Sequence, residues 1–201
     1  MSGRTNSTRV SALRRSLRLP IQTFWGTSIS RRLFILPSLL VASDKLRQTR
    51  PMIGLLQRVT HAHVEVDGEV IGAINQGLLV LVGVEQGDTS AQAERLAERL
   101  LSYRVFADAD GRMNLNVQQV GGGLLLVPQF TLVADTDQGN RPGFSRAAST
   151  AIGQELFELL VAAVRKSSQR VATGRFGADM QVSLCNDGPV TISLRIDPGE
   201  D

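Results

Sequence analysis

A Gly-Pro pair stands between two strand-like runs near the end of the chain, and few features limit a β-fold more. Gln181 to Cys185 and Val190 to Ile196 alternate apolar with polar residues and are rich in β-branched types, the pattern of half-buried strands. Asn186-Asp187-Gly188-Pro189 lies between them. Proline has no N–H to give to a ladder and fixes its own φ. The glycine before it reaches backbone angles closed to residues with a Cβ. Two readings stay open for this stretch: a plain β-turn, or a rigid corner that presents bare carbonyl groups with no side chain in the way.

Upstream, Ile53 to Val59 is a short apolar strand, and Ala62 to Val66 alternates before the hairpin signal Asp67-Gly68 and a return over Glu69 to Ile74. The run from Gly77 to Val84 is apolar throughout and predicts a strand buried on both faces. Thr89 and Gln92 form a capping box ahead of a stripe of Ala93, Leu96, Ala97, Leu100 and Leu101 at helical spacing. Tyr103 to Phe106 leads into another strand, and Asp110-Gly111 is a turn. Gly121-Gly122-Gly123 lacks the Gly-Lys-Ser/Thr helix start of a phosphate loop, so it reads as a flexible turn before the strand Leu124 to Val127. Asp135 to Ala148 is polar, without a period, and reads as a long surface loop. Ala151 to Lys166 is a second amphipathic helix with Leu156, Leu159, Leu160, Ala163 and Val164 on its buried side. Seven or eight strands and two helices result, without a repeat or second domain in residues 52–201. The expected fold class is mixed α/β (α+β): mixed, largely antiparallel sheets with the two main helices on one face, a layered ββα sandwich.

Charge divides the chain unevenly. Residues 1–51 hold ten of the 22 Lys and Arg but only one of the 19 Asp and Glu, a net +9, whereas residues 52–201 are net −6. The leader is rich in Arg and Ser and poor in acids, the composition of a mitochondrial presequence. Met52 begins a clean strand pattern, so upstream sequence translated from a wrongly chosen start, or a disordered tail, stands beside that reading. Leu33 to Ala42 is apolar but short and broken by Pro37, too short to span a bilayer. Cys185 is the only cysteine, which fits a reducing compartment. Its apolar alternation predicts a buried structural thiol.

Conventional hydrolytic machinery is hard to assemble. His61 and His63 are the only histidines. They share one face of a strand, where a surface or hairpin role competes with a metal or base role, and no carboxylate or cysteine cluster adjoins them in sequence. Thr131 directly follows a buried strand. It is either a strand-capping residue or a nucleophile beside an oxyanion hole made by the Phe130 and Thr131 N–H groups, and no base for it is apparent.

From Met52 to about Ile196 the chain resembles the D-aminoacyl-tRNA deacylases. The resemblance rests on motifs in the same order: Met52-Ile53 to Gln57-Arg58-Val59, Met113-Asn114-Leu115-Asn116-Val117, Pro128-Gln129-Phe130-Thr131-Leu132, Gly174 to Met180, and Asn186-Asp187-Gly188-Pro189-Val190-Thr191. Two positions depart from the pattern: Pro128 stands where the family has Ser, and Gly143 where Ser is commoner. The resemblance implies a cytoplasmic homodimer that hydrolyses the ester joining a D-amino acid, or glycine, to the 3′ end of tRNA. No cofactor, metal, membrane or DNA is implied. It further implies a cis Gly188-Pro189 bond, delivered into the partner's pocket, whose backbone rejects L side chains. Arg58 would hold that corner. Met180 and Asn186 would belong with Gly188 and Pro189 to the substrate-binding set, and Gln129, Phe130 and Thr131 to the catalytic set. The terminal ribose 2′-hydroxyl would supply the chemical push. An esterase using Thr131, or a non-catalytic module binding an RNA 3′ end, are the alternatives. A domain at net −6 limits RNA contact to the single-stranded end and a local basic patch, for which Arg141, Arg146, Arg165, Lys166, Arg170 and Arg175 are candidates.

Overall fold

The structure, a computed structural model, describes residues 51–137 and 139–199. The expectations for the basic leader therefore lie outside the described residues, apart from Pro51 at its end.

Strand β1 (Met52–Val66) is the spine of the fold. One of its edges is shared by β3 (Gly77–Gly83) along its first half and β2 (Glu69–Ile74) along its second, both antiparallel. Along its other edge runs β8 (Gln181–Ile196), also antiparallel. Beyond β3 come β6 (Gly123–Pro128) and β7 (Val171–Thr173), each parallel to its neighbour. Two short strands, β4 (Phe106–Ala107) and β5 (Met113–Leu115), form a separate antiparallel pair. The sheet curls into a mostly antiparallel, barrel-like form, with β2 brought near β7.

Two expected breaks are absorbed into longer strands. The two runs before Asp67 are one strand, in which register shifts between Val59 and His61. That shift returns Val59, Ala62 and Val64 to the same buried side. The two runs flanking Gly188-Pro189 are likewise one strand. β5 and β7 are strands that the pattern did not single out: each is only three residues long, too short for alternation to register. The hairpin at Asp67-Gly68 forms as expected, with both residues at positive φ.

Helix α1 (Ser90–Ser102) starts as its capping box predicts, with the Thr89 N–H donating to Gln92 Oε1 at 2.9 Å. Its whole apolar stripe is buried. Helix α2 (Thr150–Ser167) is capped by Ser149 Oγ, which accepts from the Ile152 N–H. Both helices pack on one face of the sheet, where Leu96, Leu100 and Leu160 are fully enclosed with Leu78, Val80, Leu124 and Leu126. Burying each such side chain stabilises the fold by roughly 1.5–3 kcal/mol. The other faces of β3 and β6 bury Leu79, Leu125 and Val127 in a second cluster inside the curl, so β3 is covered on both sides as its composition predicts. At its start Gly77 lies against Gly123 so closely that a Cβ would fall 2.0 Å from the Gly123 carbonyl oxygen. Helix α2 corrects one expectation: Leu159 is exposed, and Phe157 takes a buried position instead.

Candidate active site

Strand β6 ends at Pro128, an unusual residue for a central strand. The geometry shows why it is tolerated. The β6–β7 ladder has already closed at Gly174, whose N–H donates to the Leu126 carbonyl. On the opposite edge the next residue, Gln129, donates its N–H to the Val82 carbonyl at 2.7 Å. The proline therefore withholds an N–H where no further strand bond is due. The chain then turns into a short 3-10 helix, Phe130–Val133. The first N–H groups of such a helix have no partner within it, so Phe130 and Thr131 hold donors at a sheet end. Gln129 Nε2 donates to Thr131 Oγ1, which leaves the threonine hydroxyl proton available. The Phe130 ring is 61% exposed and stands 5.0 Å from the ring of Phe144, in the long loop. At Gly143 a Cβ would find Asp135 Cβ at 3.5 Å, an ordinary contact, so nothing steric demands the glycine there.

Pro128, Gln129 and Phe130 form one wall of a cleft of about 520 Å³. The connection from β7 to β8 forms the facing wall, with Phe176, Gly177, Asp179 and Met180. Met180 Sδ accepts from the Arg175 N–H at 3.4 Å. A Cβ on Gly174 would lie only 2.8 Å from that sulfur. Asp179 is the one ionisable side chain among those lining the cleft. It was not singled out from the sequence, where it sits inside a glycine-punctuated stretch without a helical or strand pattern.

The expected site residues thus fall into two groups. Gln129, Phe130 and Met180 meet in the cleft, and Thr131 adjoins it through Gln129. Gly188, Pro189, Arg58 and Asn186 do not line the cleft of their own chain. They build a second feature on β8. Thr191 pairs with Gln57 and Asn186 with Val59, so Asp187 to Val190 form an excursion opposite Arg58 alone. Asn186 closes its base: its Oδ1 accepts from the Val190 N–H at 3.1 Å, and its Nδ2 donates to Thr191 Oγ1 at 2.8 Å. Arg58 holds it from behind. Its Nε donates to the Asp187 carbonyl at 3.2 Å and lies 3.0 Å from the Asp187 carboxylate, while Nη1 donates to the Val105 carbonyl at 2.5 Å. The Gly188-Pro189 bond is cis, and Gly188 has a φ of +121°. A Cβ there would come within 2.9 Å of both Arg58 Nη2 and Val190 Cγ2. Gly188 and Pro189 are themselves exposed.

Other candidate chemistry lies elsewhere. His61 is exposed and pairs across the ladder with Cys185, which is exposed as well. The buried thiol expected from alternation is therefore corrected: the alternation is real, but Leu184 and Val182 face the second cluster and Cys185 the outside. His63 bonds to Glu65 at 3.0 Å, so a carboxylate does stand beside it, two residues along the same strand. Among the described residues no cluster of metal-ligating side chains occurs, and no helix is long and apolar enough to cross a membrane. A buried polar group sits at the start of α1. Asp88 accepts from the Glu85 N–H and from Gln92 Nε2, both at 2.7 Å. Burial raises its carboxyl pKa to about 6, with the Glu85 charge adding to the rise and the two hydrogen bonds opposing it.

Known proteins resemble this chain in both sequence and fold. Residues 55–195 match the family model described as D-Tyr-tRNA(Tyr) deacylase. A D-aminoacyl-tRNA deacylase of Pseudomonas savastanoi pv. phaseolicola is 64% identical over 140 residues, covering 70% of this chain and 97% of the relative. The protein of that name from Alteromonas mediterranea is 57% identical over 145 residues, covering 72% of this chain and all of the relative. Among solved structures, a c-Myc DNA unwinding element binding protein superposes with a TM-score of 0.68 at 38% identity, over 71% of this chain and 97% of the other. A probable eukaryotic D-amino acid tRNA deacylase shares the fold, with a TM-score of 0.65 at 16% identity, over 73% of this chain and 100% of the other. The chain belongs to the D-Tyr-tRNA(Tyr) deacylase family, and so to the hydrolases that act on aminoacyl-tRNA.

Proposed function

We propose that the chain is a cytoplasmic editing hydrolase that cleaves D-aminoacyl-tRNA, and glycyl-tRNA mischarged on tRNA(Ala), while sparing L-aminoacyl-tRNA. The carrying observation is the separation of cleft and corner within one chain. A corner pinned by Arg58 and Asn186, yet exposed and absent from its own cleft, makes sense if it completes the cleft of a second copy. In such a homodimer the Gly188 and Pro189 backbone forms a wall beside the ester. An L side chain runs into that wall, a D side chain points away, and glycine has nothing to clash. Rejection by a factor of about 10⁴ needs about 5.5 kcal/mol. A pocket that senses one methylene supplies only about 1–3 kcal/mol, whereas a backbone held by a guanidinium cannot yield to make room.

Chemistry follows from what lines the cleft. The Phe130 and Thr131 N–H groups, at the start of the 3-10 helix beside the cleft, would stabilise an oxyanion, and Phe130 and Met180 offer apolar contact to the terminal adenosine. Asp179 is the one ionisable side chain lining the cleft, and with no histidine or lysine beside it the reading favours the ribose 2′-hydroxyl as the group that drives ester cleavage. The deciding experiment charges one tRNA with the D and the L form of one amino acid. Release of the D form alone is expected, and equal release of both would overturn the reading. Replacing the terminal 2′-hydroxyl by hydrogen should abolish turnover. Survival of turnover on that substrate, together with complete loss in Thr131→Ala, would favour a Thr131 nucleophile instead.

A further inference from the structure

Six basic side chains are candidates for RNA contact; Arg141 and Lys166 line no hollow or cleft described for this chain, and the surroundings of the other four separate them. Arg146 donates to Asp137 at 2.8 Å and lies 3.3 Å from Asp135, so its charge is already matched. Arg170 donates to the Gly121 carbonyl and lines a hollow by Asn75 and Gln76. Arg165 and Arg175 differ. Both are exposed, and none of the ion pairs among the described residues involves them. Both line a second hollow of about 460 Å³, between α2 and the chain leaving β7. Phe176 is common to this hollow and to the cleft, so the two adjoin at its ring. That ring is braced against α2, 6.5 Å from Phe157 and packed over Gly153. Glu158 also lines the hollow, held by Gln154 Nε2 at 2.8 Å. It stands two helical turns before Arg165.

We infer that this second hollow is a subsite for the single-stranded RNA just upstream of the terminal nucleotide, with Arg165 and Arg175 contacting its phosphates. The inference rests on the proposed function, since it places the terminal nucleotide in the adjoining cleft. Single-stranded RNA is held by cationic grooves that track its backbone beside aromatic surfaces, and the pairing of two free arginines with Phe176 has that composition. It also accounts for how a domain of net negative charge holds RNA at all: two unpaired cationic side chains stand next to the reacting end.

The test compares two substrates. D-aminoacyl-tRNA spans both hollows, whereas a D-aminoacyl ester of adenosine fills only the cleft. In Arg165→Ala/Arg175→Ala, kcat/KM on the tRNA should fall roughly tenfold or more, through KM, and its log–log salt slope should shrink by about 1.4. Hydrolysis of the adenosine ester should stay within about twofold of the parent, since neither arginine lines the cleft. Lys166→Ala, which alters the same helix outside both hollows, should change the tRNA kinetics much less. Equal losses on both substrates, no loss on the tRNA, or an equal effect from Lys166→Ala would each overturn the subsite. If the parent protein hydrolyses neither substrate, the proposed function fails first, a result distinct from any of these. Retention of the thermal midpoint in the double variant separates lost binding from lost folding.

Discussion

The cleft and the Gly188-Pro189 corner are built in opposite ways. The cleft joins segments some fifty residues apart, Pro128 to Phe130 and Phe176 to Met180, across the parallel β6–β7 pair. Its shape depends on packing, and its walls carry an exposed ring and a thioether that can adjust. The corner is almost entirely local. Asn186 ties its base within five residues, and one arginine from the neighbouring strand locks its back. A substrate-accommodating surface can be assembled at a distance and stay adaptable. If the corner discriminates by exclusion, as proposed, it has to be stiff, because a wall that moves by an ångström rejects nothing.

The largest effect on this contrast should come from Gly188→Ala. Its methyl group would sit 2.9 Å from Arg58 Nη2 and Val190 Cγ2, on a backbone at φ +121°. Displacing the corner should reduce D-aminoacyl-tRNA turnover at least about 100-fold, with roughly 1–3 kcal/mol lost from folding. Co-refolding this variant with a Gln129→Ala/Phe130→Ala chain should restore activity that neither has alone. Absence of recovery would show that corner and cleft do not work across two copies. Arg58→Ala should come next. It removes the bonds to Asp187 and Val105, worth roughly 1.5–3 kcal/mol, and should lower the D/L selectivity more than it lowers turnover, as read from the ratio of the two rates. Asp179→Asn sharpens the other side. A general base contributes about 10²–10⁴-fold, so a change of only a few-fold in kcat supports chemistry by the substrate's hydroxyl, and a 100-fold loss assigns the base to Asp179.

The smallest effect concerns stability far from both features. The Asp88 carboxyl is raised to about 6 in the fold, against 3.8 when unfolded. The folded state therefore binds this proton more tightly. The stability it contributes is complete below about pH 4 and is lost as pH rises through 6. The thermal midpoint of Asp88→Asn should fall less between pH 4 and 7 than that of the parent. Parallel pH curves for the two proteins would show that Asp88 does not titrate in this range.

Local patterns carried much of this structure. The Asp67-Gly68 hairpin, the Thr89–Gln92 box and the doubly buried β3 follow from spacing alone, because each needs only contacts within a few residues or a composition that excludes water from both faces. The family motifs pick out Gln129, Phe130 and Met180, which the fold brings to one cleft, and the Gly188-Pro189 pair, whose bond is cis. Asp179 lies inside the Gly174 to Met180 motif, but nothing near it in sequence shows that it will face Pro128 and Gln129.

Periodicity tells which residues share a face and leaves open which face is covered. Cys185 and Leu159 sit on regular patterns and yet are exposed, since the elements that would bury them are placed elsewhere by the curl of the sheet and the pairing of α1 with α2. The same holds for the arginines. Sequence counts their charges, but only the tertiary structure leaves Arg165 and Arg175 free beside the cleft and sets Arg146 against two carboxylates. Charge and alternation are properties of the chain, whereas burial and pairing are decided by neighbours that folding brings from far away.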